Sequence, residues 1–339
     1  LYNINIISYK IDLKQPLKNS QNTYVSKRGF IIKLEMDSYV GYGDVSPLDN
    51  FSKENLQQIT WAFEEFKISL IEKSNYEKQD FFNLIKIYCE KTPSLHFAID
   101  IAFYDILSQK SSVSIARYLN PSSLEIVKMS SFFVKDFQSS NPHIKIKLLC
   151  NSIESDIQNL EKAFKNYSSK TLFRIDFNRG YNLNDAILMC DFLSQFQIEY
   201  IEEPLLKMEV DQLRKLKDKT NIKFAIDESV YSNNFQNLIQ SGCVNYAILK
   251  PSIYGGVDKI LDLKQNLRFN NVELVFSSSL ENYIGNMAVI NLASALKLKA
   301  AHGINNYIFY NYDSNSLFNE KSPEINISSV VGLGVTWDD

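Results

Sequence analysis

Seven charged residues close short strand-like runs, and six of them, all but Glu203, fall at spacings that could build one reaction site. "IKIK" finishes with Lys145 and Lys147, "FRID" with Asp176, "YIEE" with Glu202 and Glu203, "FAID" with Asp227 and "AILK" with Lys250. Each closes a short run rich in β-branched and aromatic residues, as the end of a strand does. The steps from Asp176 to Glu202, Asp227 and Lys250 are about 26, 25 and 23 residues, close to one strand-plus-helix unit each. Three carboxylates brought together on adjacent strands repel one another, and a hard divalent cation with oxygen ligands relieves that. Mg2+ is the expected ion, with Mn2+ able to substitute. Lys145 and Lys147 alternate at i and i+2 and so face one side of their strand, while Lys250 comes from the opposite wall. Such crowding is expected to lower a lysine pKa and make it a usable base. Any one of these acids alone would more often be a helix cap or a salt-bridge partner; the set carries the inference. Glu203 points to the other face of its strand and is expected in a salt bridge beneath the surrounding helices.

The elements that must position these residues follow from the pattern around them. From about residue 125, short apolar strands alternate with amphipathic helices: "VKMSSFFV", "IKIKLL", "LFRIDF", "IEYIEE", "KFAIDE", "NYAILK" and "ELVFSS", with an eighth near "AAHGI". Eight such units give an α/β fold of the (β/α)8 barrel type, assigned to residues 111–304, whose active site forms at the C-terminal ends of the strands. Residues 1–110 read as an α+β domain. "INIISYKID" and "RGFIIKLE" are its strands, Gly41 and Gly43 suit a tight connection, "SKENLQQITWAFEEFKISLIEK" is a helix capped at its Ser-x-x-Asn start, and "PSLHFAIDIAFYDILSQK" is a helix with Pro93 in its first turn. Residues 305–339, with "NNYIFYNYD" and "VVGLGVTW", read as strand-like and are expected to return to the first domain.

The bulk properties narrow the function classes. The 339 residues are 45% hydrophobic, with 19 Tyr and 22 Phe, which argues for a folded globular chain. A net charge of -3 without a basic stripe gives no reason to expect nucleic acid. No apolar run approaches the roughly 20 residues that cross a bilayer, and no signal peptide is visible, so no membrane partner and a cytoplasmic protein are expected. Cys89, Cys150, Cys190 and Cys243 are widely spaced and read as reduced core thiols. His96, His143 and His302 lack metal-ligand spacing and read as structural or exposed.

The order Lys-x-Lys, Asp, Glu, Asp, Lys on successive strands resembles the enolase superfamily in its muconate-lactonizing subgroup, where a Lys or His base works with Mg2+. An N-terminal capping domain precedes the barrel there, and "GYGDVSPLDNFSKENL" is similar to its Gly-x-Gly-Glu-x-x-Pro-Leu segment with Asp44 in place of Glu. "FRIDFNRGYN", "IEYIEEPL", "FAIDES", "ILKPSIYGG" and "SSSLENYIGNMAVINLASAL" look most like the o-succinylbenzoate synthase family. The resemblance implies a carbon-oxygen lyase of menaquinone biosynthesis. It would dehydrate a small carboxylate, 2-succinyl-6-hydroxy-2,4-cyclohexadiene-1-carboxylate, through an enediolate. It implies Asp176, Glu202 and Asp227 as metal ligands, Lys147 as the base, Lys145 as its support and Lys250 as added positive charge across the mouth. Arg174 and Asn178 inherit supporting positions around Asp176, with hydrogen bonding inside the barrel as the equal alternative. Ser277, Ser278, Gly255 and Gly256 are placed to hold the substrate's succinyl carboxylate, with ordinary loop chemistry as the equal alternative, and the loop around Ser26 to Gly29 to close over the ligand. The dipeptide epimerases of the subgroup carry an Asp-x-Asp near the end of the barrel, and none follows Glu281 here. Racemisation of N-succinylamino acids by the same opposed lysines is the alternative reaction, and a barrel used only for binding or support the alternative class. Only about ten residues lie between the end of the first barrel strand and Lys145, too few for the usual helix.

Overall fold

The computed structural model describes residues 2–18, 23–49, 51–72, 77–133, 139–148, 150, 152–304 and 322–337. The chain opens with an antiparallel meander, β1 (Tyr2–Lys18), β2 (Thr23–Met36) and β3 (Tyr39–Val45), followed by α1 (Leu56–Glu72), α2 (Lys78–Cys89) and α3 (Pro93–Lys110). The β2–β3 turn falls at Asp37, with φ 58°. Gly41 and Gly43 therefore do not form the connection; they lie inside β3. A Cβ at Gly41 would stand 2.0 Å from the Ala102 carbonyl oxygen, and one at Gly43 1.9 Å from that of Ala98, so the glycines let α3 lie directly on the strand. The cap of α1 also differs from expectation. Asn55 Oδ1 accepts the Gln58 N–H while Gln58 Oε1 accepts the Asn55 N–H, a reciprocal capping box one turn later than Ser52.

Helix α3 is apolar nearly all round, and it is buried nearly all round. Leu95, Ala98, Ile99, Ala102, Phe103 and Ile106 join the core of the capping domain, whereas Phe97 and Ile101 join that of the barrel. A helix with polar residues on one face could not serve both sides.

After α4 (Ile115–Leu119), β4 (Ile126–Lys128) leads into the barrel strands. These are β5 (Ser131–Phe132), β6 (His143–Lys147), β7 (Leu172–Asp176), β8 (Ile198–Glu202), β9 (Phe224–Ile226), β10 (Tyr246–Leu249) and β11 (Glu273–Phe276). They form one parallel sheet in chain order. Helices α5 (Ile153–Phe164), α6 (Leu183–Leu193), α7 (Val210–Lys217), α8 (Phe235–Gln240), α9 (Pro251–Tyr254), α10 (Val257–Phe269) and α11 (Tyr283–Ala295) follow successive strands from β6 onward. The expected eighth strand is reduced to two bridges: Gly303 pairs with Ser277 and His302 with Met129, both parallel, which brings the end of the sheet back to its start. Between β5 and β6, residues 134–138 lie outside the described residues, and the described part of that connection is not helical.

Parallel strands covered on both faces explain the β-branched and aromatic runs. On β6, Ile144 and Ile146 join the large core under the helices, while Lys145 and Lys147 take the alternate face. Tyr200, Ala225, Tyr246, Ile248 and Val275 form a separate small core, where the Tyr200 and Tyr246 ring centroids are 4.8 Å apart. "NNYIFYNYD" lies outside the described residues. Downstream, β12 (Glu324–Asn326) pairs antiparallel with β4, and "VVGLGVTW" forms turns and one bridge instead of a strand. Its Leu333 N–H donates to Asp105 of α3 at 2.7 Å, and Trp337 stacks on Tyr283 of α11. No helix among the described residues is long and apolar enough to cross a membrane.

Candidate active site

The parallel register sets the site. Lys147 pairs with Asp176 and Asp176 with Glu202, so the ends of β6, β7 and β8 stand level. Glu202 pairs with Ala225, which puts Asp227 just past the end of β9, and Lys250 just past β10 completes the wall. Lys145 Nζ lies 2.6 Å from Glu202 Oε1 and 3.1 Å from Asp176 Oδ2, Lys147 Nζ 4.0 Å from Asp176 Oδ2, and Lys250 Nζ 2.5 and 2.6 Å from the two Asp227 oxygens. The six expected residues thus converge on one mouth.

Two like charges about 4 Å apart at an effective dielectric near 20 repel by about 4 kcal/mol, so three buried acids need compensation. Burial would raise Asp176, but Lys145 and Lys147 outweigh it and hold the carboxyl below its usual value. Glu202 goes the other way: burial, with Asp176 and Asp227 adding to it, pushes it up to about 8 despite Lys145. Its Oε2 is buried without a hydrogen-bond partner among the described residues. Lysine pKa lowering is not met at Lys145 or Lys250. Burial acts to lower both, yet Asp176, Glu202 and Asp227 raise Lys145 well above its ordinary value, and Asp227 and Glu228 raise Lys250. Carboxylates stand nearer each ammonium than the other lysines do.

The flanking residues separate into layers. Arg174 turns away from the mouth into the barrel interior. The β7–β8 register shifts by one residue at Glu199, whose carboxylate Arg174 clamps through Nε at 2.7 Å and Nη2 at 3.2 Å. His143 Nδ1 lies 3.0 Å from the same group. Burial would raise Glu199, but His143 and Arg174 hold it down to about 2. Asn178 contributes through its backbone, the N–H donating to Asp176 Oδ1 at 2.9 Å. Ser277 and Ser278 follow β11 at the mouth, where Ser278 Oγ donates to Glu281 Oε2 at 2.5 Å. Gly255, with φ 113°, and Gly256 face the capping domain: their Cβ positions would meet Pro93 at 3.4 Å and His96 at 2.4 Å. His302 is buried and its Nδ1 accepts the Phe276 N–H. Cys89, Cys190 and Cys243 are buried and Cys150 half-buried, all four free.

Glu203 forms the expected salt bridge, to Arg179 at 2.9 Å, just past the end of β8. It adopts φ 44°, is fully buried, and accepts hydrogen bonds from Arg179 Nε, Ser229 Oγ and the N–H groups of Asp227 and Ser229. It braces the β8 and β9 ends that present Glu202 and Asp227. Some participants were not foreseen. Ser26 to Gly29 form part of β2 instead of a loop, and Lys27 is buried there, donating to the carbonyls of Pro47 (2.5 Å) and Ser279 (2.9 Å). Asp44 Oδ1 accepts from Tyr9 and Oδ2 from the Asn282 N–H, while Ser252 and Ser279 donate to Glu281. This polar seam ties the capping domain to the Ser277–Ser279 segment. A lysine in the inward register of β2, among Tyr24, Gly29 and Ile31, was the available signal. A cavity of about 440 Å3 opens beside Lys250, lined by Phe51, Glu54, Pro93, Glu228, Tyr231 and Tyr254 among others. Lys250 Nζ sits 4.8 Å from the centroid of the Phe51 ring.

Residues 135–339 match the family described as Enolase C-terminal domain-like, and residues 2–106 that described as MenC, N-terminal domain. The chain is 22% identical to a hydrophobic dipeptide epimerase of Enterococcus faecalis, over 98% of each chain. It is 24% identical to an o-succinylbenzoate synthase of Aliivibrio fischeri, again over 98% of each, and 20% identical to an N-succinyl-L-Arg/Lys racemase of Bacillus cereus, over 98% of this chain and 94% of the other. Among solved structures, a dipeptide epimerase from Enterococcus faecalis complexed with Mg and the dipeptide L-Leu-L-Tyr superposes with a TM-score of 0.85 at 22% identity, covering 98% of both chains.

Proposed function

Because the chain belongs to the enolase superfamily through its Enolase C-terminal domain-like region, we propose that it is an o-succinylbenzoate synthase, dehydrating 2-succinyl-6-hydroxy-2,4-cyclohexadiene-1-carboxylate to 2-succinylbenzoate. The observation that carries this reading is the match of residues 2–106 to the MenC, N-terminal domain, on a barrel whose mouth offers a lysine base beside three carboxylates. The donor set suits a hard divalent ion: all three side chains give oxygen, and Glu202 Oε2 is buried with no partner among the described residues. Mg2+, or Mn2+ in its place, would be held by Asp176, Glu202 and Asp227 and would supply positive charge to the substrate carboxylate.

Lys147 Nζ takes the proton alpha to that carboxylate. It is the more exposed lysine of the β6 pair, 33% against 13%, and touches the acids only at 4.0 Å, so it can reach a substrate. Lys145, wedged between Asp176 and Glu202, keeps a fixed positive charge beside the Lys147 amine. Lys250 adds charge from the opposite wall, where anionic character develops on the ring. Loss of hydroxide aromatises the ring, so the chemistry runs downhill once the proton is gone. Ser277 offers its hydroxyl group to the succinyl carboxylate, beside Ser278, whose own hydroxyl is donated to Glu281. We assign residues 1–110 as the cap, 111–304 as the barrel and 305–339 as the segment returning to the cap.

The second reading is racemisation of N-succinylamino acids. Lysines on opposing strands can serve the two faces of one carbon, and epimerases and a racemase are among the relatives. Incubation with the cyclohexadiene acid, after EDTA and then with Mg2+ or Mn2+ restored, is expected to show metal-dependent loss of diene absorbance. Unchanged absorbance together with alpha-deuterium uptake by N-succinylamino acids in D2O would replace the synthase reading with the racemase.

A further inference from the structure

A second group of metal-type donors sits in the seam between α3 and α10, apart from the mouth: one ligand atom each from His96, Asp100 and Asp258 lie within 4.8 Å of one another. His96 and Asp100 stand four residues apart on one face of α3, each 2% exposed. Asp100 Oδ2 accepts the Val257 N–H at the start of α10 at 2.8 Å, so capping accounts for one of its oxygens. The other is unexplained, because Asp100 Oδ1 and His96 Nδ1 are both buried without a hydrogen-bond partner among the described residues. His96 Nε2 and Asp100 Oδ2 are 3.7 Å apart, yet burial pushes the carboxyl up to about 8 and the imidazole down to about 4. Burial thus favours the neutral form of both groups. Native cores seldom retain such a pair without a partner.

Gly256 makes the room. Its φ of -52° and ψ of 151° suit any residue, so the backbone does not call for glycine. The space does: a Cβ there would lie 2.4 Å from His96 Nε2 and 2.8 Å from Asp258 Oδ1. Lys86 holds Asp258 through the other oxygen, Oδ2, at 2.5 Å, and Oδ1 accepts the Lys259 N–H at 2.9 Å.

We propose that this seam binds one divalent transition-metal ion of the Zn2+ class through an imidazole nitrogen of His96 and carboxylate oxygens of Asp100 and Asp258, pinning the cap helix α3 to the barrel helix α10. An imidazole-containing set favours Zn2+ over Mg2+ more strongly than the all-oxygen mouth does, whose donors also suit Mg2+. Two ionised carboxylates balance the ion's charge, and the neutral imidazole already offers a lone pair.

The test loads the intact protein with Zn2+ in excess Mg2+ and counts bound zinc after dialysis. Wild type is expected to carry one zinc more per chain than His96→Gln or Asp258→Asn, with affinity in the variants at least about tenfold weaker, since losing even an outer partner of a zinc ligand costs about 10–100-fold. Co2+ in place of zinc is expected to give visible bands that disappear with His96→Gln. Asp258 is part-exposed, so its Asn variant keeps the test open should the His96 variant fail to fold. A folded Asp258→Asn protein holding as much zinc as wild type would overturn the proposal, as would wild-type zinc lost entirely on Asp176→Asn.

Discussion

Lys147 and Lys145 differ by two positions and not at all in residue type, yet their surroundings give them different tasks. Lys145 is clamped by two carboxylates within 3.1 Å, whereas Lys147 reaches one at 4.0 Å. On the proposed synthase reading, Lys147→Ala is expected to reduce dehydration by about 10²–10⁴-fold, the usual worth of a general base, while the melting temperature changes little because the side chain is part-exposed. Steady-state kinetics beside a thermal melt reads both quantities. Near-normal turnover would remove Lys147 from the role of base. The same contrast appears between Glu202 and Glu203: one presents its carboxylate to the mouth, and its neighbour spends both oxygens bracing the strands that hold it.

At the scale of elements, the close approach of α3 to β3 is the most exacting contact in the capping domain. Gly43→Ala would drive a methyl group into the Ala98 carbonyl, a backbone atom that cannot swing aside. A cost of at least about 1–3 kcal/mol is expected, and urea denaturation would measure it. A variant as stable as wild type would mean that α3 can slide off the strand. The buried Glu54 tests the same seam by titration. Its Oε1 accepts the Ser94 N–H at the start of α3, and burial raises its pKa from 4.5 to about 7. The folded state thus holds the proton more tightly than the unfolded one. Its contribution is complete below about pH 4.5 and is lost as pH rises through 7. Glu54→Gln keeps the acceptor and removes the charge, so it should stabilise the protein by about 1–3 kcal/mol at pH 8 and change little at pH 4. Thermal melts at the two pH values decide it; equal effects at both would contradict the sign.

Over the whole molecule, the alternation of strands and helices, the placement of acids and lysines at strand ends and the two-part division into meander and barrel were readable, because period and spacing are local properties of the chain. The convergence of Lys145, Lys147, Asp176, Glu202, Asp227 and Lys250 followed, since a parallel barrel sends every strand end to one mouth. Other features needed three dimensions. The eighth strand near "AAHGI" shrank to two bridges, Gly41 and Gly43 became packing positions, and Arg174 turned to Glu199 after a one-residue register shift. The pKa values of Lys145 and Lys250 rose because the nearest charges were acids. Lys27 and Ser279 meet across 252 positions, and His96, Asp100 and Asp258 across about 160. By itself the sequence determined which residues end which strands. Only the tertiary structure decided which charges touch, because burial and pairing depend on neighbours that are distant in the chain.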